Sequence, residues 1–358
     1  MKRLFIIFFS ITFLFSSLYG SGKTEKQRTN DKKYKVTFII PGFIGDKSYN
    51  ESIFNGIQLI RNNLGNTVDT NVISLGLEDG STYLTTLTQV AQTDTDLIIT
   101  GTKIMKEPLK QVAKQYPDKK FILYDATVDF STGNFQNVYT IEYKQNEAGY
   151  LAGILSSSLT TSTAMEQINE KPLIGFIGLR SDSDTEKSVV GFREGAQYSN
   201  PHIQILTNYV DSYIDAKTAH KQALQQYAKG VDIIFTTAGF ASKGVIEAAL
   251  ETAHYVIGIY PNQTSLYQNE PNVKYILTSA LKDIGASLYL SVQKSRTGSL
   301  PFGLNEKTGL ASGIVGLSRN DLYLSSVPAS VQLQVQEAHD RILDGSIVLD
   351  STSSRDLL

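Results

Sequence analysis

Val36-Thr37-Phe38-Ile39-Ile40 is nearly continuous in apolar and β-branched residues and stops at Pro41-Gly42. A run of that kind, without polar alternation, suits a strand covered on both faces. Beyond the turn, Ile53, Ile57, Ile60 and Leu64 recur at spacings of three and four with Phe54 beside them, the pattern of an amphipathic helix packed back on a sheet. The unit then repeats. Strands are predicted near Thr70–Leu75, at Leu97–Thr100 and at Lys120–Tyr124, with helices near Tyr83–Gln92 and at Glu107–Gln115 between them. Strands that alternate with helices pair in parallel through right-handed crossovers, so this part reads as one doubly wound α/β lobe.

A second series follows. It predicts helices at Asn146–Leu159, Glu186–Ala196, Ala216–Lys229 and Lys243–Thr252, and strands at Leu173–Gly178, Gln204–Val210, Asp232–Thr236 and Tyr255–Ile259. A strand at Lys274–Thr278 and a helix from Asp283 come last. Two such lobes in tandem imply a cleft between them, because ligands of open α/β sheets bind outside the carboxyl ends of the strands.

The beginning of the chain has a different character. Lys2 and Arg3 precede an uncharged apolar run from Leu4 to Phe15, and small residues follow at Ser16, Ser17, Gly20 and Gly22. That order is a secretory signal peptide, taken as residues 1–22, and its apolar core is too short to cross a bilayer comfortably. Gly20-Ser21-Gly22 suits cleavage, and retention of the signal as an amino-terminal anchor is the alternative. Residues 23–33 are polar and charged and read as a flexible leader. With 358 residues, no cysteine and a formal charge of −2, the chain has no disulfides to lean on and no electrostatic footprint for nucleic acid or an anionic membrane. About two domains are expected from its length.

Asp46-Lys47-Ser48-Tyr49-Asn50-Glu51 and the following Asn55-Gly56 resemble the signature of the basic membrane lipoprotein family, the purine-nucleoside receptors of ABC importers, which usually reads Asp-Asp-Lys-Ser-Phe-Asn. Further similar strings lie in order: Phe192-Arg193-Glu194-Gly195-Ala196, Ala238-Gly239, Tyr255-Val256-Ile257-Gly258, Thr278-Ser279 with Lys282-Asp283-Ile284-Gly285, and Gly313-Ile314-Val315-Gly316. The resemblance implies a type I periplasmic-binding-protein fold: two doubly wound, Rossmann-like lobes joined by three hinge crossovers. It places residues 34–130 and 272–302 in the amino-terminal lobe and 138–262 and 310–348 in the carboxy-terminal one. The crossovers then fall near Asp125–Tyr139, Tyr260–Asn272 and Ser299–Leu310. Leu18-Tyr19-Gly20-Ser21 also looks like a lipoprotein box with serine where the lipid-bearing cysteine belongs, so no lipid anchor is expected and the protein is expected to be exported, periplasmic or associated with the cell envelope.

Candidate site residues follow from position and from the resemblance. Asp46, Lys47, Ser48 and Asn50 lie at a strand-to-helix turn, where free backbone N–H groups and short polar side chains can hold a polar ligand. Alternatively, Ser48 or Asn50 simply caps the helix and Lys47 is a solvated charge. Asp125 ends a predicted strand and faces the cleft, or else is a turn former. The family's matching aspartate and the match to Lys282 lie at the ligand. Gly239 belongs to the Ala238-Gly239 match, and Phe43, Phe240 and Tyr260 offer aromatic surface for stacking. The family's two base-sandwiching aromatics correspond to Ile44 and Ser188 here, and Gly258-Ile259-Tyr260-Pro261-Asn262 lacks the aspartate that holds ribose hydroxyls.

Enzyme chemistry has little support. Neither a Gly-x-Gly-x-x-Gly nor a phosphate-cradling P-loop follows the first strand, no Gly-x-Ser-x-Gly elbow occurs, and His202, His220, His254 and His339 are scattered. The expectation is a monomeric solute receptor without cofactor or metal, not an enzyme. Its partners would be a small solute (nucleoside, nucleobase or related) and an ABC permease in the cytoplasmic membrane. The alternative is a surface interaction protein or antigen on the same fold.

Overall fold

The computed structural model describes residues 32–76, 80–162, 164–181, 183–260 and 263–349. The expected signal peptide, most of the leader, Ser21, and Pro261-Asn262 lie outside the described residues. The chain runs β1 (Tyr34–Ile40), α1 (Tyr49–Leu64), β2 (Val68–Ser74), α2 (Tyr83–Ala91), β3 (Leu97–Gly101), α3 (Lys106–Gln115), β4 (Lys120–Tyr124) and β5 (Val138–Tyr143). Then come α4 (Gln145–Thr160), β6 (Leu173–Gly178), α5 (Ser183–Ser199), β7 (Gln204–Tyr209), α6 (Ala216–Ala228), β8 (Ile233–Thr237), α7 (Ser242–Thr252), β9 (Tyr255–Tyr260), α8 (Gln263–Leu266) and β10 (Ile276–Lys282). It ends with α9 (Ile284–Arg296), β11 (Leu304–Thr308), β12 (Val315–Leu317), α10 (Asp321–Ser326) and α11 (Ala329–Leu343).

Two six-stranded sheets result, in the orders β11-β5-β4-β3-β1-β2 and β12-β10-β9-β8-β6-β7. Among the described residues every strand pairing is parallel except β10 with β12. Position for position the second sheet repeats the first. Each order reverses beside its first strand, between β3 and β1 and between β8 and β6, and such a reversal opens a crevice at the carboxyl ends of the strands. The central strands read as predicted: Val36, Phe38, Ile39 and Ile40 of β1 are buried, as are all residues of β3 and β8. The edge strands β2, β7 and β11 carry exposed polar residues, which discourages pairing with another chain.

Lobe membership differs from the expectation. The strand expected to return to the first lobe, β10, pairs with β9 in the second sheet, and only the helix after it, α9, packs on α1. Val138–Tyr143, expected at the start of the second lobe, is β5 of the first sheet and pairs with β4, while β11 joins its far edge. The chain therefore passes between lobes at Tyr143–Gln145, Lys282–Ile284 and Thr308–Leu310, not along the longer segments expected. A both-faces-covered apolar run announces a strand but carries no mark of which sheet covers it. Two of the crossings are tied together: Lys144 N–H donates to the Thr308 carbonyl (2.9 Å), and Glu147 accepts the Leu310 N–H (2.7 Å).

Helix α4, which follows the first crossing, is buried along nearly its whole length against the second sheet, α5 and α11. Its approach to α5 is set by glycine. A Cβ on Gly153 would overlap the Phe192 carbonyl, a backbone atom that cannot rotate away, so the two helices pass at backbone contact. This fixes α5, whose Lys187 reaches Glu142 on β5 of the first sheet.

Candidate functional site

The loop after β1 is organised by one carboxylate. Asp46 Oδ1 accepts the N–H groups of Ser48 and Glu51 (2.9 Å each), and Oδ2 accepts the N–H of Asn50 (2.9 Å) and its side-chain amide (3.1 Å). The free N–H groups at the start of α1 thus find a partner from two residues before its N-cap. Ser48, in the N-cap position, makes no side-chain cap bond. From the other lobe the Tyr213 hydroxyl donates to the same Oδ2 (2.5 Å). Five donors occupy Asp46, which is 2% exposed. In this conformation it has no lone pair left for a solute, so its role is to cap and to latch. Two other candidates keep unmet capacity: Ser48 Oγ and Asn50 Oδ1 are buried and make no hydrogen bond among the described residues.

The second cluster lies where β4, β5, β9 and β10 end. Lys282 Nζ pairs with Asp125 Oδ2 at 2.7 Å, and the Tyr49 hydroxyl donates to the same oxygen (3.0 Å). The rings of Tyr143, Tyr49 and Tyr260 surround the ammonium, with centroids at 5.2, 5.4 and 5.6 Å, a distance at which a cation is attracted to an aromatic face. Tyr49 meets Tyr260 edge to face at 5.3 Å. Burial first, and then the Asp125 charge, raises the Tyr49 and Tyr124 phenols far above the ordinary range. Burial also raises the phenol of Tyr143. These phenols are therefore neutral throughout the physiological pH range.

The backbone around these clusters is strained. Lys47, Thr102, Asp125, Asp211 and Tyr260 all have φ between 49° and 72°; Lys47 directly precedes the N-cap of α1, and the other four sit at or just beyond the carboxyl end of a strand. Such conformations cost about 1–3 kcal/mol apiece for residues other than glycine, and they concentrate where side chains must be aimed at a site. Gly239 shares the conformation (φ 65°), and a Cβ there would run into the Tyr213 ring.

Every described side chain expected at the site lies at these strand ends. Phe43 and Phe240 meet across the lobes with ring centroids 5.6 Å apart. The exposed Lys47 spreads its ammonium over Tyr267, and its carbonyl accepts the Gln263 amide at 3.1 Å. Ile44 packs on the core and Ser188 is buried on α5, 3.5 Å from Gln145 Oε1. Sequence reasoning missed Tyr49, Tyr143, Tyr213 and Gln263. Tyr49 was within reach, standing inside the signature where the family usually has phenylalanine. Tyr213 gave no signal, being 167 positions from its partner.

A family model described as "ABC transporter substrate-binding protein PnrA-like" (Bmp) matches residues 33–349. The chain belongs to this family. It is an extracytoplasmic, membrane-associated family of solute-binding proteins, not of enzymes. Among similar relatives, Basic membrane protein A1 of Borrelia garinii subsp. bavariensis is 28% identical over 356 residues, covering 98% of this chain and 96% of its own. The CD4+ T-cell-stimulating antigen of Listeria innocua serovar 6a is 28% identical over 348 residues, 92% of each chain. A crystallised ABC transporter solute-binding protein from Aeropyrum pernix K1 superposes with a TM-score of 0.77 at 20% identity, over 90% of this chain and 94% of that one. That match carries the fold: two α/β lobes of the type I periplasmic-binding class. No helix among the described residues is long and apolar enough to cross a membrane.

Proposed function

We propose that this Bmp-family protein is the extracytoplasmic receptor of an ABC importer and closes its lobes around a purine nucleoside, nucleobase or related solute. The observation that carries the proposal is the arrangement at the strand ends: an interlobe Lys282–Asp125 pair ringed by tyrosines, with two buried acceptors, Ser48 Oγ and Asn50 Oδ1, that have no partner among the described residues. Solute donors would satisfy Ser48 and Asn50, and Asp125 and Lys282 would orient it. Solute binding would then favour the closed form that a permease recognises. Because Tyr260 stands where ribose is usually held by a carboxylate, ribose should contribute less here than elsewhere in the family. Calorimetry with adenosine, guanosine, inosine and their free bases tests this. We expect binding with little preference for the nucleoside over its base, and loss of binding in Asp125→Ala. Tight, ribose-dependent binding that survives both Asp125→Ala and Lys282→Ala would place the site elsewhere.

The interaction-protein alternative draws on one observation. Beside Asp46 and Phe240 the closed cleft retains only about 10 Å³. A clamp filled by its own side chains would show no thermal shift with any solute, whereas a receptor gains stability as ligand exceeds its Kd. As for location, Ser21 has no thiol to carry lipid, so osmotic shock should release the protein without detergent. Incorporation of a labelled fatty acid at the amino terminus would refute that.

A further inference from the structure

The string Gly313-Ile314-Val315-Gly316 takes no part in the interlobe clusters. It leads into β12, the outer strand of the second sheet, and borders a cavity of about 380 Å³, within the range of small-molecule sites. Leu151 of α4, Leu281 of β10, Leu310, Val315 and Val335 of α11 give the cavity an apolar wall. Two of these stand at crossings between the lobes, Leu281 just before Lys282–Ile284 and Leu310 at the end of Thr308–Leu310. Asp46, Asp125, Tyr260 and Lys282 do not line it, so it lies apart from the cleft.

Two features of this wall point to an occupant. Gly316 is the middle residue of β12, and glycine inside a strand weakens it and often marks the close approach of a ligand or another backbone. A Cβ at Gly316 would meet only Leu310 Cδ2, at 3.5 Å, an ordinary contact, so nothing packed there within the protein demands glycine. Tyr323 of α10 is 2% exposed, yet its hydroxyl makes no hydrogen bond among the described residues. A buried tyrosine hydroxyl usually finds a partner.

The other polar groups of the wall have partners of their own. Gln332 donates to the Leu324 and Val327 carbonyls (3.1 and 2.8 Å). Gln336 accepts from Arg319 Nη1 and donates to Asp340 Oδ1 (2.7 Å each), and His339 Nδ1 lies 3.0 Å from the same carboxylate oxygen. Among the described residues no carboxylate lines the cavity. Asp340 is answered by His339 and Gln336, Asp321 and Glu337 on the same two helices are exposed, and Arg319 forms an ion pair with none of the three. Arg319 stands near enough to Tyr323 for its charge to offset part of the rise that burial imposes on the phenol. A guanidinium fork beside a hydroxyl donor suits the two oxygens of a carboxylate.

We propose that this cavity beside β12 is a second binding site, which takes a small molecule with an apolar body and a terminal carboxylate. The carboxylate meets Arg319 and Tyr323, and the body lies against Gly316 and the leucines.

Calorimetry on the full-length protein with octanoate, 3-phenylpropionate and indole-3-acetate, each beside its primary amide, tests this. We expect at least one carboxylate to bind with a Kd of about 1 mM or tighter, and about tenfold or more tighter than its amide. That advantage should disappear in Arg319→Gln, and binding should weaken several-fold in Tyr323→Phe. Gly316→Leu, which fills the cavity, should abolish binding, while Lys294→Gln, an exposed control on α9, retains it. Because Gly316 and Arg319 line no part of the cleft, this result stands or falls without the solute-receptor reading. Failure of all three carboxylates would overturn the proposal, as would equal binding of acid and amide, or binding that survives both Gly316→Leu and Arg319→Gln. A dimer in sedimentation that Gly316→Leu dissociates would also overturn it, showing that a second copy covers this face. Melting curves establish that each variant is folded, and should Gly316→Leu melt early, Arg319→Gln, at an exposed position, decides the matter.

Discussion

Asp46→Ala is expected to lower the stability of the protein by about 3 kcal/mol, even with no solute present. The side chain closes the first turn of α1 through three backbone N–H groups, and a lost N-cap alone costs about 0.5–2 kcal/mol. It also answers the Asn50 amide and the Tyr213 hydroxyl, and buried donors left without an acceptor cost about 1–3 kcal/mol each. These contributions share one site and will not add in full. Asp46→Asn should be milder, since one acceptor oxygen survives, although its amide now faces donors. Tyr213→Phe removes only the bond between lobes and should cost about 1 kcal/mol. Urea unfolding monitored by circular dichroism reads all three. A residue serving only as a ligand contact would lose affinity and keep its unfolding midpoint, so an unmoved midpoint in Asp46→Ala would reject the capping role.

Asp46 also shows where sequence reasoning stops. Its place at the end of the first strand was legible, because Val36–Ile40 and the Ile53, Ile57, Ile60 periodicity set the strand and the helix on either side of it. Its task was not. Whether a carboxylate faces a solute or the N–H groups of its own helix depends on a few degrees of loop geometry, here with Lys47 at φ 49°. The same limit explains the lobe boundaries. Strand and helix periods are local, and they located β6 at Leu173–Gly178 and β4 at Lys120–Tyr124. Partnership between β10 and β9 is a long-range choice that leaves no periodic trace. Asp125 was legible from its place after the strand Lys120–Tyr124 and Lys282 through family resemblance, but their direct pairing across 157 positions was not.

Lys282→Ala is expected to cost about 3–5 kcal/mol, the usual penalty for leaving one member of a buried ion pair alone. Both partners are withdrawn from water, the lysine side chain at 3% exposure and the aspartate at 14%. Deleting the ammonium leaves the Asp125 charge with the Tyr49 hydroxyl as its side-chain partner among the described residues, and it empties the space between three tyrosine rings. Lys282→Met keeps the aliphatic stem in that space and isolates the charge effect. Pairing it with Asp125→Asn replaces two ions by neutral groups of similar volume, an exchange that is often neutral or stabilising. The double variant should therefore recover most of the stability lost by Lys282→Met alone, with a coupling energy of about 2 kcal/mol in the mutant cycle. Solute binding should not recover with it. The pair sits at the crossing between β10 and α9, where closure of the lobes brings it together and where a solute's polar groups would share its hydrogen bonds. Stability restored without affinity would separate the structural task of the pair from its part in recognition. A Lys282→Met protein as stable as the parent would mean instead that the pair is solvated in solution, and that the lobes do not rest in the closed arrangement.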